Sequence, residues 1–413
     1  VVPRPFAAVP LMSVFSKSQP SAQPRQVTIL VSDLSTKGVG RWGGAVRTFL
    51  LAQALDRLGY RIQIVGSVFG ELGTLPAPPH WQVVTVPGCP YPGYFRSIAR
   101  LWPQITGDII YAQKLKPSSY GLGLLKAIAH RRPVIVDIDD WELSWHGGDH
   151  YRYRLRPRKF LRDLLGKDGE LRRPDHPLYL QAIESWAHHA TAITVNTLAL
   201  QQRFGGVLIP SGKDTALFDP DRFDPVAARS RQGWQDYKIL MFPGATRPYK
   251  GVEDLLEALD QLNDPQIRLV IVGGSPYDDY DQQLQARWGR WLIYLPKQPA
   301  SEMPGVVAAA HAVVVPQRDT PETRAQFPLK LTDGMAMGKP VIATRVGDIP
   351  QLLGDTGLLV EPSQPPQLAQ AIRQVLDDPE QSGAIGRRAR QRCIEHYSLE
   401  AMATGLHQIL DRC

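Results

Sequence analysis

At 413 residues the chain holds about two to three domains, taking roughly 150 residues for each. Hydrophobic residues at 43% and charged residues at 21% are ordinary globular usage, which excludes wholesale disorder and a disulfide-stapled miniprotein. The 47 basic residues exceed the 40 acidic ones by +7, yet His150–Arg173, with nine Lys/Arg against three Asp/Glu, supplies +6 of that, so a general nucleic-acid binder is excluded.

In chain order, Val1–Gln26 carries five prolines and is expected to be a disordered leader. From Val27, short β-rich runs alternate with helical stretches, the pattern of parallel α/β layers. The predicted strands are Val27–Asp33, Arg61–Ser67, Val83–Val86, Asp108–Ala112, Val134–Asp139 and Ala192–Asn196. Predicted helices between them include Gly44–Leu58 and Ser118–His130; in the first, Val46, Leu50, Ala54, Leu55 and Leu58 recur at helical spacing. The first domain therefore spans 27–210, with a basic insert near 141–180. A Gly/Pro/Asp-rich linker follows at 211–236. The second domain spans 237–413, with predicted strands Lys238–Phe242, Arg268–Val272, Leu292–Leu295, Val313–Val315, Val341–Ala343 and Leu358–Val360 and a helical tail from Pro379. The expected fold is α/β, two Rossmann-like domains facing across a cleft. The longest apolar runs, such as Val27–Val31, are strand-sized and far below the ~18 residues of a membrane-spanning helix. Cys89, Cys393 and Cys413 lack metal-ligand spacing and read as reduced thiols of a cytosolic protein.

In open parallel sheets ligands bind beyond the carboxyl ends of the strands, so the loops there are searched for chemistry. After the first strand, Gly38, Gly40, Gly43 and Gly44 permit close backbone approach at a helix start, and Arg41 adds a cation, the makings of an anion site. The matching loop of the second half, "FPGATRPYKGVEDLLEAL", sets Arg247 and Lys250 just before a helix. Cations there oppose the helix dipole and need another reason to be present, such as a bound anion. In "QFPLKLTDGMAMGKPVIATRVGDIPQLL", Asp333 lies beside Gly334 and Ala336, where a ligand can approach; an acidic group so placed can accept hydrogen bonds from ribose hydroxyls, and a surface aspartate is the alternative.

The segments "PSGKDTALFDP", "RPYKGVEDLLEAL", "LVIVGG", "PLKLTDGMAMGKPVIATRVGDIPQLL", "GLLVEP" and "IEHYSLEAMATGLHQIL" together resemble the retaining GT-B-fold glycosyltransferases of the large group 1 family, which contains sucrose-phosphate synthases and bacterial mannosyl- and glucosyltransferases. The resemblance runs from about Val27 to Leu410 and rests on the order and spacing of several motifs. It implies transfer of a hexose from a nucleotide-sugar donor with retention, with no cofactor and no obligatory metal. Asp333 matches the family's ribose-binding acid and Lys250 its pyrophosphate lysine; Lys330 and Gly273 join Arg41, Gly43 and Gly44 as expected donor contacts. The sequence departs from the family in three places. The first glutamate of the Glu-x7-Glu pair falls on Ala325, with Glu322 as a substitute. The usual pyrophosphate arginine falls on Ala245, with Arg247 two residues on. A first-domain histidine is replaced by Asp139 and Asp140, assigned here with Arg247 and Lys250 to catalysis. Asp137-x-Asp139 imitates a metal-binding motif of the other glycosyltransferase fold, a reading discounted because the chain follows the two-Rossmann pattern.

The insert "HYRYRLRPRKFLRDLLGKDGELRR" interleaves arginines with Tyr151, Tyr153, Leu155, Phe160, Leu161, Leu164 and Leu165. Three readings stand: contact of residues 150–173 with an anionic membrane surface, an amphipathic excursion packed on the first domain, and a site for a phosphorylated soluble acceptor. The expected protein is a cytoplasmic transferase, peripheral on the membrane if the first reading holds. The partners are a nucleotide sugar and an unidentified acceptor, with no nucleic acid. Ala325 and the absent histidine keep open a catalytically weak sugar-nucleotide-binding protein, and the fold keeps open a sugar-nucleotide epimerase.

Overall fold

The computed structural model describes residues 24–35, 44–72, 75, 77–154, 156–275 and 278–413; side chains of 44–46 are also outside the description. The expected leader, Gly38, Gly40, Arg41, Gly43 and Leu155 therefore lie outside the described residues, apart from 24–26 of the leader.

Two parallel sheets form, as the apolar runs predict. The first holds β1 (Gln26–Val31), β2 (Arg61–Val68), β3 (Gln82–Pro87), β4 (Ile109–Gln113), β5 (Val134–Ile138), β6 (Ala192–Val195) and β7 (Val207–Leu208), in the order β3-β2-β1-β4-β5-β6-β7. The second holds β8 (Lys238–Gly244), β9 (Ile267–Gly273), β10 (Leu292–Leu295), β11 (Ala312–Val315), β12 (Val341–Thr344) and β13 (Leu358–Val360), in the order β10-β9-β8-β11-β12-β13. The strands are almost wholly buried because helices cover both faces, so they read as continuous Val/Ile/Leu runs with little alternation. In both sheets the order reverses beside the first strand, between β1 and β4 and between β8 and β11. The switch points place the crevices at the ends of those strands.

The tail expected to belong to the second domain divides. Helix Pro379–Tyr397 contributes Ala389 and Cys393 to the second core. Helix Leu399–Leu410 instead crosses back: Leu399, Met402, Leu406 and Leu410 join the core built by Val27, Ile29 and helix Gly44–Arg57. Each fully buried leucine contributes about 1.5–3 kcal/mol, so this helix fastens the chain's end to the first domain. The stretch 211–236 is also not a bare linker, since Phe218, Ala228 and Trp234 are buried in the second core.

In the basic insert, a helix forms at Pro157–Leu165, started by a proline at its first position where no N–H is needed. Asp163 is its buried member and gathers Lys159, Tyr153 and Arg162, while Leu161, Leu164 and Leu165 face outward.

Candidate functional site

The second domain's contribution starts where β8 ends. Gly244 (φ 145°) turns the chain, Arg247 is extended, and a short turn Pro248–Lys250 leads to Gly251. Gly251 has φ 68°, and a Cβ there would collide with the carbonyl oxygen of Pro316 at the end of β11, so only glycine fits. Lys250 then leads directly into helix Val252–Leu262. Its Nζ donates to the Ala245 carbonyl at 3.1 Å. From helix Leu329–Ala336, Lys330 reaches the same turn: its Nζ would lie 3.9 Å from a Cβ on Gly244 and sits 4.3 Å from the ring centre of Phe242.

Burial and the neighbouring Arg247 push Lys250 down to about 8. Burial and Lys250 hold Lys330 well below the ordinary lysine range, with Asp333 offsetting part of this. Among the described residues neither lysine is ion-paired. Arg247 is pinned by Asp278 at 2.8 Å, and Asp281 ties the hydroxyl of Thr246 to the amide of Ser275 in the loop after β9. Gly273 (φ 111°) ends that strand level with Gly244, its partner in register.

One turn along helix Leu329–Ala336, on the same face as Lys330, Asp333 is buried and ion-paired with Lys213. Lys213 also lies 3.8 Å from the ring centre of Phe218. Sequence reasoning gave Lys213 no role, although it stands in the quoted "PSGKD".

The first domain answers across the cleft with carboxylates. At the ends of the adjacent strands β4 and β5, Lys114 Nζ lies 3.2 Å from Asp139 Oδ1 and 2.6 Å from Glu142 Oε1, and Lys116 lies 3.0 Å from Glu142 Oε2. Burial raises the Asp139 carboxyl against the pull of Lys114, and raises Asp140 to about 7. Burial opposes ionisation of Glu142 as well, yet Lys114 and Lys116 hold it down to about 2. Asp140 Oδ2 accepts from Trp145 Nε1 at 3.1 Å, while its Oδ1 is buried without a hydrogen-bond partner. Lys114 and Glu142 were not among the expected site residues; their signal is spatial, because two parallel neighbours end together.

The two banks touch. Trp145 packs on Tyr249 with ring centres 5.7 Å apart, and Lys250 Nζ lies 5.9 Å from the Tyr249 ring. Asp348 of the second domain accepts from the Leu198 amide of the first at 2.8 Å. Arg247, Lys250, Lys330 and Asp333 are thus assembled on one bank, and Asp139 and Asp140 on the other. Gly44 starts the helix Gly44–Arg57. Ala325 is buried in the apolar cluster of the first domain, and Glu322 sits half-buried in the short helix Pro321–Arg324. Asp137 is sequestered by Arg47 through two bonds of 2.8 Å and by Thr194, a structural pair in the core. No group of three or more potential metal ligands occurs among the described residues.

Two Rossmann-like domains facing across a cleft give the GT-B architecture. Residues 237–378, within the second domain, match the family model described as Glycosyl transferases group 1. The chain is 31% identical over 220 residues, 49% of this chain and 50% of the relative, to the D-inositol 3-phosphate glycosyltransferase of Corynebacterium efficiens. It is 26% identical to the GDP-mannose-dependent alpha-(1-6)-phosphatidylinositol monomannoside mannosyltransferase of Mycolicibacterium smegmatis, over 57% of this chain and 65% of that one. The chain thus spans about half to two thirds of the length of these relatives. Among solved structures it superposes on Anabaena HepE in complex with UDP and glucose with a TM-score of 0.72 at 21% identity, covering 94% of this chain and 99% of that one. For the sucrose-phosphate synthase of Thermosynechococcus elongatus the TM-score is 0.68 at 19% identity, with 94% and 99% covered.

Proposed function

We propose that the chain is a retaining, metal-independent hexosyltransferase that takes a sugar from a nucleoside-diphosphate donor and passes it to a lipid-linked or membrane-associated acceptor. The observation that carries this reading is the pair of desolvated lysines, half-buried Lys250 and buried Lys330, beside Arg247 at the end of β8. Three cations held together out of water repel one another, and a diphosphate would offset that cost. As the bond from the anomeric carbon to the diphosphate oxygen breaks, negative charge grows on the phosphate, and preorganised cations stabilise it most at that moment. These three side chains supply the positive charge that a metal ion would otherwise bring. Asp333 offers a carboxylate to the ribose, and Gly273 and Gly44 let backbone approach the donor. Across the cleft, the unsatisfied Oδ1 of Asp140, with the Asp139 carboxylate beside it, suits sugar hydroxyls of donor or acceptor.

The named relatives and HepE support a nucleotide sugar as donor; retention follows the family resemblance. We place the membrane contact at residues 150–173, as a peripheral association of a cytoplasmic enzyme; no helix among the described residues is long and apolar enough to cross a membrane. Ala325 favours a second reading, a sugar-nucleotide-binding protein with little turnover, since the usual carboxylate is replaced by a buried methyl group. Purified protein incubated with a panel of nucleotide sugars, with and without membrane extract, separates these. Acceptor-dependent release of nucleoside diphosphate is expected; binding without turnover would establish the second reading, and a new sugar nucleotide would mean an epimerase.

A further inference from the structure

Beside the cleft, on the outer side of the first domain, lies an apolar groove of about 560 Å³. Its walls are Tyr91 and Phe95 from the start of helix Tyr94–Leu101, Leu164 and Leu165 from helix Pro157–Leu165, and Ile183 and Trp186 at the end of helix Pro177–Glu184. Phe95, Leu165 and Trp186 remain 63%, 74% and 51% exposed. Two polar groups of the wall are already used: Arg172 donates to the carbonyls of Tyr91, Gly166 and Lys167, and the Tyr179 hydroxyl donates to Leu171. What this surface offers a ligand is therefore hydrocarbon contact, at a volume within the ~300–1,000 Å³ range of small-molecule sites.

The surroundings select the ligand further. Arg173 stands between the lining residues Arg172 and Pro174, and Arg154, Arg156 and Arg158 lead into the helix that carries Leu164 and Leu165; all four are exposed, make no ion pair among the described residues, and are taken as the cationic rim. The groove's inner wall includes Pro117, whose neighbour Lys116 pairs with Glu142 of the acidic bank. A chain lying in the groove thus has one end at a cationic rim and close to the cleft. A second copy of this protein would bring the same arginine rim against itself, so like charge opposes self-association there.

Resting on the reading that the first domain holds the acceptor, we propose that this groove binds the hydrocarbon chain of a single anionic, phosphate-bearing amphiphile, with its headgroup on the arginine rim and turned toward the cleft. This makes the insert more than a patch on a bilayer: the membrane supplies a lipid that is threaded past Leu164, Leu165 and Trp186.

The test is calorimetric titration of the full chain with dodecyl phosphate below its micelle concentration, in the absence of any nucleotide. Saturable binding at one site is expected, tightening two- to fourfold with each methylene from octyl to dodecyl phosphate, since burying a CH₂ is worth roughly fourfold at most. Dodecyl maltoside, which has the same chain without charge, should bind at least about tenfold more weakly, a difference lost when Arg154, Arg156, Arg158 and Arg173 are changed to Gln. Ala182→Trp, on the exposed lip of the groove, and Leu165→Glu, at its mouth, should each weaken dodecyl phosphate about tenfold or more. Nucleoside diphosphate affinity, read separately on the same variants, should not change, so failure of the groove and failure of the donor site are distinct results. The proposal is overturned if chain length has no effect, if inorganic phosphate competes as well as dodecyl phosphate, or if only intact vesicles bind. A concentration-dependent dimer that Leu165→Glu dissolves would overturn it in favour of a second copy.

Discussion

On the first domain's bank, Lys114 and Lys116 lie among Asp139, Asp140 and Glu142, while on the second domain's bank Lys250 and Lys330 lie together with Arg247. Both groups are largely shielded from water, yet that desolvation acts on them differently. Lys114 is desolvated, but Asp139 and Glu142 more than repay this and hold it well above the ordinary lysine range. Lys250 has no acidic neighbour to repay it and Asp333 repays Lys330 only in part, so both fall below it. The first bank is neutralised within the protein and stiffens it; the second concentrates like charge whose compensation must come from a ligand. The same residue type thus serves structure on one side of the cleft and binding on the other.

Truncating the second bank should break turnover while sparing the fold. Lys250→Ala and Lys330→Ala are each expected to slow transfer about 100-fold or more, about 3–4 kcal/mol of transition-state stabilisation. Since each change removes a desolvated like charge, the melting temperature should stay level or rise. Nucleoside diphosphate release and thermal melting, measured on the same preparations, check both halves. Arg247→Ala should cost less, because the guanidinium is shared with Asp278.

Lys114→Met should do the reverse, lowering stability by about 3 kcal/mol, the cost of leaving buried carboxylates without their partner. A melting temperature unchanged from wild type would remove the structural role assigned to Lys114. Asp333→Asn tests a contact of intermediate size. A ribose hydroxyl bonded to a charged acceptor is worth about 1.5–3 kcal/mol, so calorimetry should show nucleoside diphosphate binding weaker by at least about tenfold. Lys213, the partner of Asp333, keeps a hydrogen-bonding group opposite it in the variant, which limits damage to the fold.

Asp140 gives a pH-dependent test on the first bank. Its carboxyl titrates near 7, neutral below and charged above. If its charged form receives a sugar hydroxyl, kcat/KM rises with pH through about 7, by about tenfold at most. Asp140→Asn should flatten that limb. A profile still rising in the variant would assign the limb to another group.

The sheets were legible in the sequence because strands covered on both faces become uninterrupted β-branched runs, and the twelve predicted strands all reappear within a residue or two of their expected ends. The two-residue β7 is too short to carry such a pattern. The second bank was legible too, since Arg247 and Lys250 precede a helix where cations are otherwise unfavourable, and Lys330 and Asp333 are one turn apart on another. Lys114 and Glu142 were not, for "AQKLKP" and "DDWELSW" acquire meaning only when β4 and β5 end side by side. Likewise, the apolar spacing of Leu399–Leu410 shows that the helix has a buried face but cannot say which sheet it covers.

The smallest effect is the most direct probe of the second bank's strain. Lys250 titrates at about 8, so near that pH roughly half of the free protein lacks its ammonium proton. A bound diphosphate favours the charged form and raises this value, so the complex holds more protons than the separate partners. Binding at pH 8 should therefore take up about half a proton at Lys250. The sign follows: nucleoside diphosphate affinity falls as pH rises through about 8, and about twofold is already lost at pH 8 itself from Lys250 alone. Calorimetry in Tris and in HEPES reads the uptake directly, because the buffers release protons with different enthalpies and neither is a phosphate that could compete for the site. Lys250→Met should lower the uptake at pH 8 and shift the pH dependence. Equal heats in the two buffers at pH 8, with tight binding retained, would mean that the diphosphate lies elsewhere and that the two lysines repel each other for another reason.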